Sequence, residues 1–299
     1  MQQNKDMILQ ALLLGGTIRV TAISGKALVE EARRVHSLSR VCTAALGRQL
    51  MATAMMAVQL KHEDESLTTI LRGTGPAGNL VCTGRFGARV KGYAANPEVE
   101  LPLKPSGKLD VSGVIGSTGK LTVVRDLSMR EPYVGEVSLI SGEVAEDFAQ
   151  YFAVSEQQPS LVYLGVRMRP DDGTVLAAGG LFAQPLPGCP EEDILLLQEK
   201  AANIEHLSLK LEEGMTLQAA LSELFSDMEL ELTGELTPLW ECDCSIERTE
   251  RALIALGREE LLDMIEQDGG AELTCQFCRK SYSFDAQALT SLLREAGGA

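Results

Sequence analysis

The feature that most constrains this chain lies near its C-terminal end. Cys242-Asp243-Cys244 is followed, after thirty residues, by Cys275-Gln276-Phe277-Cys278, and these two clusters hold four of the seven cysteines. Each cluster presents two sulfurs close together. The gap between them is long enough for the chain to fold back and bring the pairs face to face. Four thiolates at tetrahedral corners suit zinc. The same thiols, so close in sequence, can also pair as disulfides once no metal holds them.

The flanking sequence favours a metal staple. Residues 237–299 contain few large apolar side chains, a thin core that a bound metal commonly supports. Ser245 reads as the cap of a helix over 246–256 that stops at Gly257, and a second helix over 258–267 stops at Asp268-Gly269-Gly270. Residues 271–284 read as a hairpin whose turn is the second Cys pair, and Asp285 caps a last helix over 286–296. A C-x-x-C turn aims two sulfurs at one ion, and a C-x-C pair chelates through a tighter ring. The three histidines, His36, His62 and His206, lie elsewhere, so the expected site is all sulfur. Arg248, Arg251, Arg279 and Lys280 can partly offset its excess negative charge. A permanent zinc ribbon is the simplest reading. The C-x-C half departs from the common C-x-x-C pair. When an oxidant attacks one thiolate, its sequence neighbour can resolve the sulfenic acid to a disulfide. Loss of ligands then removes the fold that the metal supported.

Composition narrows the classes of function. A chain of 299 residues with 45% hydrophobic and 23% charged residues has the make-up of a soluble protein of two or three domains. A net charge of −15 opposes a nucleic-acid partner, which needs clustered Lys and Arg. Aromatics, at 4%, offer little for base stacking. The segment 1–16 lacks a basic leader region and a cleavage signal, and no apolar run approaches the roughly 18 residues of a membrane span. The expectation is a cytoplasmic protein with no membrane partner. In a reducing compartment, clustered cysteines are more often metal ligands or redox groups than structural bridges.

Residues 1–187 read as one mixed α+β domain. Alternation marks strands at 17–23, 67–73, 79–85, 89–95, 120–127 and 135–140. A further pair, 160–169 and 174–186, flanks the turn Asp171-Asp172-Gly173. Helices are expected at 27–36 and 143–154. Between them Ser39 caps a long helix reaching Leu60, apolar nearly all round and therefore buried at the centre. The regular βα alternation of a doubly wound sheet is missing. The expected fold class is α+β: β-sheets around a long buried helix, then a helical linker, then a small C-terminal zinc domain.

The Pro/Gly cluster at 185–190 marks a boundary. From Glu191 to Leu236 the pattern is helical, with Ile194, Leu197, Ala201, Ile204 and Leu207 on one face. Gly214 breaks the run, a short helix follows over 216–227, and Gly234 and Pro238 end the region. These 46 residues carry twelve Asp/Glu against two Lys/Arg. One reading is a solvated acidic face. The other is an amphipathic segment strained by like charges, which stays folded only while docked. The domain division is therefore 1–187, an acidic linker over 188–236, and 237–299.

The remaining motifs carry less. Cys42, Cys82 and Cys189 lack partners at metal spacing, and the first two read as small core residues. Residues 113–120 resemble a phosphate loop, but the glycine spacing is wrong and a strand follows. Residues 73–78 read as a hairpin turn. With no Ser-His-Asp signature and no histidine pair, no enzyme active site is expected.

Four stretches of the body join the cysteines in a resemblance. These are EARRVHSLSRVCTAALGRQL (31–50), with Val41-Cys42 where a small residue is common, GYAANP (92–97), DLSMREPYVGEV (126–137) and YFAVSEQQPSLVYLGV (151–166). With C-x-C…C-x-x-C behind an acidic segment, they resemble the heat-shock protein 33 family of redox-regulated 33 kDa bacterial chaperonins. The resemblance covers nearly the whole chain. It implies an ATP-independent holdase that binds unfolded or partly folded client proteins under oxidative and heat stress. It implies that Cys242, Cys244, Cys275 and Cys278 bind one Zn²⁺ per chain in a reduced, inactive form. Oxidation then gives the disulfides Cys242–Cys244 and Cys275–Cys278, the linker unfolds, and the active form is a homodimer. Clients pass on to ATP-dependent foldase chaperones. Residues 1–187 become the substrate-binding and dimerisation domain. Two other readings stay open: a constitutive zinc-ribbon protein-binding module, and a thiol–disulfide oxidoreductase using Cys275 and Cys278, which lacks the βαβ context of such enzymes.

Overall fold

A computed structural model describes residues 5–204 and 206–296. The chain forms two compact units, 1–241 and 242–299.

The first unit begins with a strand that the sequence reading did not anticipate. β1 (Met7–Leu13) pairs antiparallel with β2 (Ile18–Ser24) across a single 3₁₀ turn. Its run MILQALL lacks clean alternation because both faces are buried. α1 (Lys26–His36) starts at Gly25 with no side-chain cap of its own. The buried carboxylate of Asp6 substitutes, accepting from Ala27 N at 3.0 Å and Leu28 N at 2.7 Å. α2 (Arg40–Ala57) is the expected central helix, and Ser39 Oγ caps it by accepting from Cys42 N at 3.2 Å. All of α2 except Arg40 and Arg48 is buried.

There follow β3 (Ser66–Gly73), β4 (Asn79–Arg85), β5 (Arg89–Ala94), the short α3 (Val111–Ile115), β6 (Gly119–Asp126) and β7 (Tyr133–Ser138). Then come α4 (Val144–Val154), β8 (Leu161–Met168) and β9 (Val175–Pro185). The main core joins α2 to both large sheets. Ile8, Ile23, Leu164 and Phe182 come from one sheet, and Leu67, Leu80, Val90 and Leu121 from the other. Gly84 of β4 lets the helix close in, since a Cβ there would meet Ala57 Cβ at 2.8 Å.

The acidic region is four short helices: α5 (Glu191–Glu199), α6 (Ala201–Ile204), α7 (Leu207–Glu212) and α8 (Leu217–Leu224). Glu205, one of its acids, lies outside the described residues. The expected face is real: Leu197, Ile204 and Leu207 are buried, joined by Leu217, Leu221, Leu224 and Phe225. They close over Leu9, Ala11, Leu13, Ile18, Val20, Ala22, Leu181 and Ala183, the second face of the sheet. The region's two lysines each hold an acid of the later part: Lys200 Nζ lies 2.5 Å from Asp227, and Lys210 Nζ 2.6 Å from Glu223.

The end of this region departs from its helical pattern. β10 (Glu231–Leu236) is a strand because the edge of β1 supplies its backbone partners, with a register shift between Gln10 and Ala11. Local propensity yields to that ladder. β11 (Leu239–Trp240) then pairs parallel with β5. The Trp240 ring meets the His36 ring edge-on, with centroids 6.0 Å apart. The sheets thus run β10-β1-β2-β9-β8 and β11-β5-β4-β3-β6-β7. The fold is mixed α and β around a long buried helix, as its sequence suggests.

The second unit contains α9 (Ile246–Leu256), α10 (Arg258–Asp263) continued by a π turn at Met264–Asp268, the hairpin β12 (Gly270–Thr274) and β13 (Ser281–Asp285), and α11 (Ala286–Ala296). Ser245 and Asp285 cap α9 and α11 as expected, accepting from Arg248 N at 3.3 Å and Ala288 N at 2.7 Å. Its core is small: Leu253, Leu261, Tyr282, Phe284, Leu289, Leu292 and Leu293. Among the described residues, no helix is long and apolar enough to cross a membrane.

Phe225 tests the helix-to-sheet contact, being 1% exposed in the second core. Phe225→Ala should cost about 3–5 kcal/mol in urea unfolding. Leu195→Ala, at an exposed site of the same region, should change it by no more than about 0.5 kcal/mol.

Candidate metal centre

Local hydrogen bonding positions both cysteine pairs. Cys242 and Cys244 lie in irregular chain just before α9, whose start is fixed by the Ser245 cap. Arg248 returns to pair with Asp243 between them. Cys275 and Cys278 lie at the tip of the β12–β13 hairpin. Thr274 pairs with Ser281 at its base, Cys275 N donates to Lys280 O at 2.9 Å, and Arg279 N donates to Cys275 O at 2.8 Å. Arg279 takes a left-handed φ of 61°, which closes the turn.

These constraints gather all four Sγ atoms within 4.8 Å of one another. Two close contacts cross between the clusters: Cys242 to Cys275 is 3.7 Å and Cys244 to Cys278 is 3.3 Å. A tetrahedral Zn–S distance of about 2.3 Å gives sulfur–sulfur edges of about 3.8 Å, so the set is the right size for such an ion. All four side chains are half-buried, which leaves a path for entry and for small oxidants. Among the described residues, this is the one His, Cys, Asp or Glu group gathered closely enough to hold a metal.

The electrostatics of the four are unequal. Burial pushes the Cys244 thiol up, but hydrogen bonds from Tyr282 and from the sulfurs of Cys278, Cys242 and Cys275 outweigh it and lower it to about 7. Burial raises the Cys278 thiol, and Cys244 and Cys275 add to that. Cys244 thus gives up its proton more readily than Cys278. Tyr282 is held well above its ordinary value by its hydrogen bond to Cys244. The four expected cations are not equally placed. Arg248 is engaged by Asp243, and Lys280 Nζ sits 4.9 Å over the Tyr282 ring.

Tyr282 is the functional-site residue that sequence reasoning missed. Its Oη donates to Cys244 Sγ at 3.2 Å. The signal was there: Ser281-Tyr282-Ser283-Phe284 alternates, so Tyr282 and Phe284 share the inner face of the strand. The other cysteines stand apart. Cys42 faces the carbonyls of Asn96 and Val99 at 3.6 and 3.5 Å. Cys82 is fully buried, and burial raises both of these thiols. Cys189 Sγ faces Pro190 O at 3.6 Å.

The sequence profile of the family described as Hsp33 protein matches residues 6–285. A relative named 33 kDa chaperonin from Clostridioides difficile is 40% identical over 97% of this chain and 99% of its own. One of the same name from Alkaliphilus metalliredigens is 42% identical over 96% of this chain and 98% of its own. The crystal structure of the 33 kDa chaperonin (heat shock protein 33 homolog) of Thermotoga maritima superimposes with a TM-score of 0.87 at 34% identity, covering 99% of this chain and 100% of that one.

Replacing one donor tests the centre. Cys275→Ser should weaken metal binding at the four-sulfur set by more than the roughly 10–100-fold that loss of a supporting hydrogen bond costs a metal site. Competition against a chromophoric chelator measures this, and Cys189→Ser should leave the affinity unchanged.

Proposed function

The chain belongs to the Hsp33 protein family, and from that premise we propose that it is an ATP-independent holdase switched by its own cysteines. It binds unfolded or partly folded proteins under oxidative stress and carries out no catalytic turnover. In the reduced, inactive form Cys242, Cys244, Cys275 and Cys278 hold one Zn²⁺ per chain. The ion supplies a four-way cross-link to a unit whose own core is small. The all-sulfur donor set and its dimensions support this choice of metal.

The oxidant is a peroxide. A cysteine thiolate attacks one peroxide oxygen, the O–O bond breaks, hydroxide leaves, and a sulfenic acid forms. The neighbouring thiol attacks that sulfur and expels a second hydroxide as the S–S bond closes. Each disulfide therefore consumes two thiols and one peroxide and yields two waters. The pairs are Cys242–Cys244 and Cys275–Cys278. Sulfurs two and three positions apart in the chain stay neighbours after the turn relaxes, whereas the contacts across clusters depend on the intact fold. Each disulfide takes two donors from the set, and unit 242–299 loses its staple.

Residues 188–236 then undock. The observation that carries this reading is the contact between the acidic helices and the second face of the five-stranded sheet. The segment is apolar inward, carries a net charge of −10, and covers an apolar sheet face within 1–187. Exposed patches of that kind bind other proteins. The active form is a homodimer, works in the cytoplasm, and passes clients to ATP-dependent foldases. Nucleic acid is no partner for so acidic a chain.

A constitutive zinc-ribbon module is the second reading, favoured by the closed four-sulfur geometry itself. Peroxide at raised temperature separates the two. We expect loss of four thiols, release of one zinc, cleavage between 188 and 236 by added protease, and suppression of light scattering by an unfolding client. Zinc release with that segment still protected, or scattering suppressed equally without oxidant, contradicts the switch.

A further inference from the structure

The four sulfurs of the centre do not have equivalent neighbours. Tyr282, the one tyrosine of unit 242–299, is 7% exposed, and its Oη lies 3.2 Å from Cys244 Sγ. A phenol is the better donor of the two, so Tyr282 donates and the sulfur accepts. The hydroxyl has little room to move. Its strand is locked to β12 with Tyr282 opposite Leu273, and its ring packs among Leu253, Leu261 and Phe284. Lys280 covers one face of the ring and makes the hydroxyl a stronger donor by drawing electron density toward its charge.

A thiolate attacks through its lone pairs. A hydrogen bond to one of them stabilises the charge and must weaken as the sulfur closes on oxygen. We propose that Tyr282 is a positioning residue that sets the oxidation threshold of the centre: its hydroxyl orients the Cys244 sulfur and restrains its attack on peroxide. The balance of the step is unchanged, with thiolate attacking oxygen, the O–O bond breaking and hydroxide leaving. Tyr282 keeps its own proton throughout and acts on rate alone. This rests on the reading of Cys244 as a redox ligand.

Tyr282→Phe in the full chain keeps the ring and removes only the donor. The chain should still take up one zinc when the metal is supplied in excess, while thiol loss under dilute peroxide accelerates about tenfold, the scale set by one hydrogen bond to a charged group. Cobalt(II) supplies a readout that packing alone does not move. In the cobalt-loaded protein the thiolate-to-metal charge-transfer band should shift to lower energy when the donor is lost. Should the phenylalanine variant fail to fold, a ring-fluorinated tyrosine placed at 282 retains the shape and is the stronger donor, so oxidation should slow. Equal peroxide rates and an unmoved cobalt band in a folded variant overturn the role of Tyr282 alone. Wild-type thiols inert to peroxide overturn the switch itself, and this role with it.

Discussion

Both faces of the five-stranded sheet need cover, and the rest of the molecule answers that requirement. One face closes on α2, a helix so apolar that nothing but a core can receive it. The other has Leu9, Leu13, Val20 and Leu181 pointing away from that core. Their cover comes from the acidic helices late in the chain. A long-range contact of this kind makes the sheet's second face conditional. It is dry only while residues some two hundred positions downstream remain in place.

Magnitudes decide how conditional. Leu217, Leu221, Leu224 and Phe225 are each buried to within a few per cent, and each such side chain contributes about 1.5–3 kcal/mol. A like-charge pair on a helix costs only about 0.2–0.5 kcal/mol. Repulsion among the acids therefore cannot lift the segment by itself, and the charge-strained reading needs this correction. Lys200 and Lys210 relieve part of the strain by holding Asp227 and Glu223. What the charge does is narrow the margin and keep the segment soluble once released. Release then needs the loss of an anchor. β10 and β11 tie the segment's end to both sheets, and Cys242 follows Trp240 after a single residue. In the proposed switch, oxidation falls on the chain directly beyond the anchor.

What could be read in the sequence was mostly local. The Ser39 cap with the all-round apolar run behind it, the Asp-Asp-Gly turn between β8 and β9, and the hairpin tip at Cys275 and Cys278 are each written in a few adjacent residues. The four clustered cysteines belong with these, because their spacing is itself the signal. What was hidden depends on distant partners. β1 reads as an apolar run because both of its faces are buried, which erases the alternation that marks a strand. β10 is polar and Gly-bearing, and becomes a strand only because β1 offers it an edge. Tyr282 belongs to no motif in the sequence, and its hydroxyl acquires meaning only because the hairpin carries it to Cys244.

The central claim is that the state of four sulfurs governs whether one sheet face is covered. Amide hydrogen exchange resolved by peptide tests it directly, comparing the zinc-loaded reduced chain with the peroxide-treated chain and with the same sample re-reduced and reloaded with zinc. The account predicts that α8 and the edge of β1 that pairs with β10 lose protection together on oxidation and regain it on reduction, while α2 stays protected throughout. Protection of α8 that is indifferent to oxidation, in a chain that has lost its zinc and all four thiols, would contradict it.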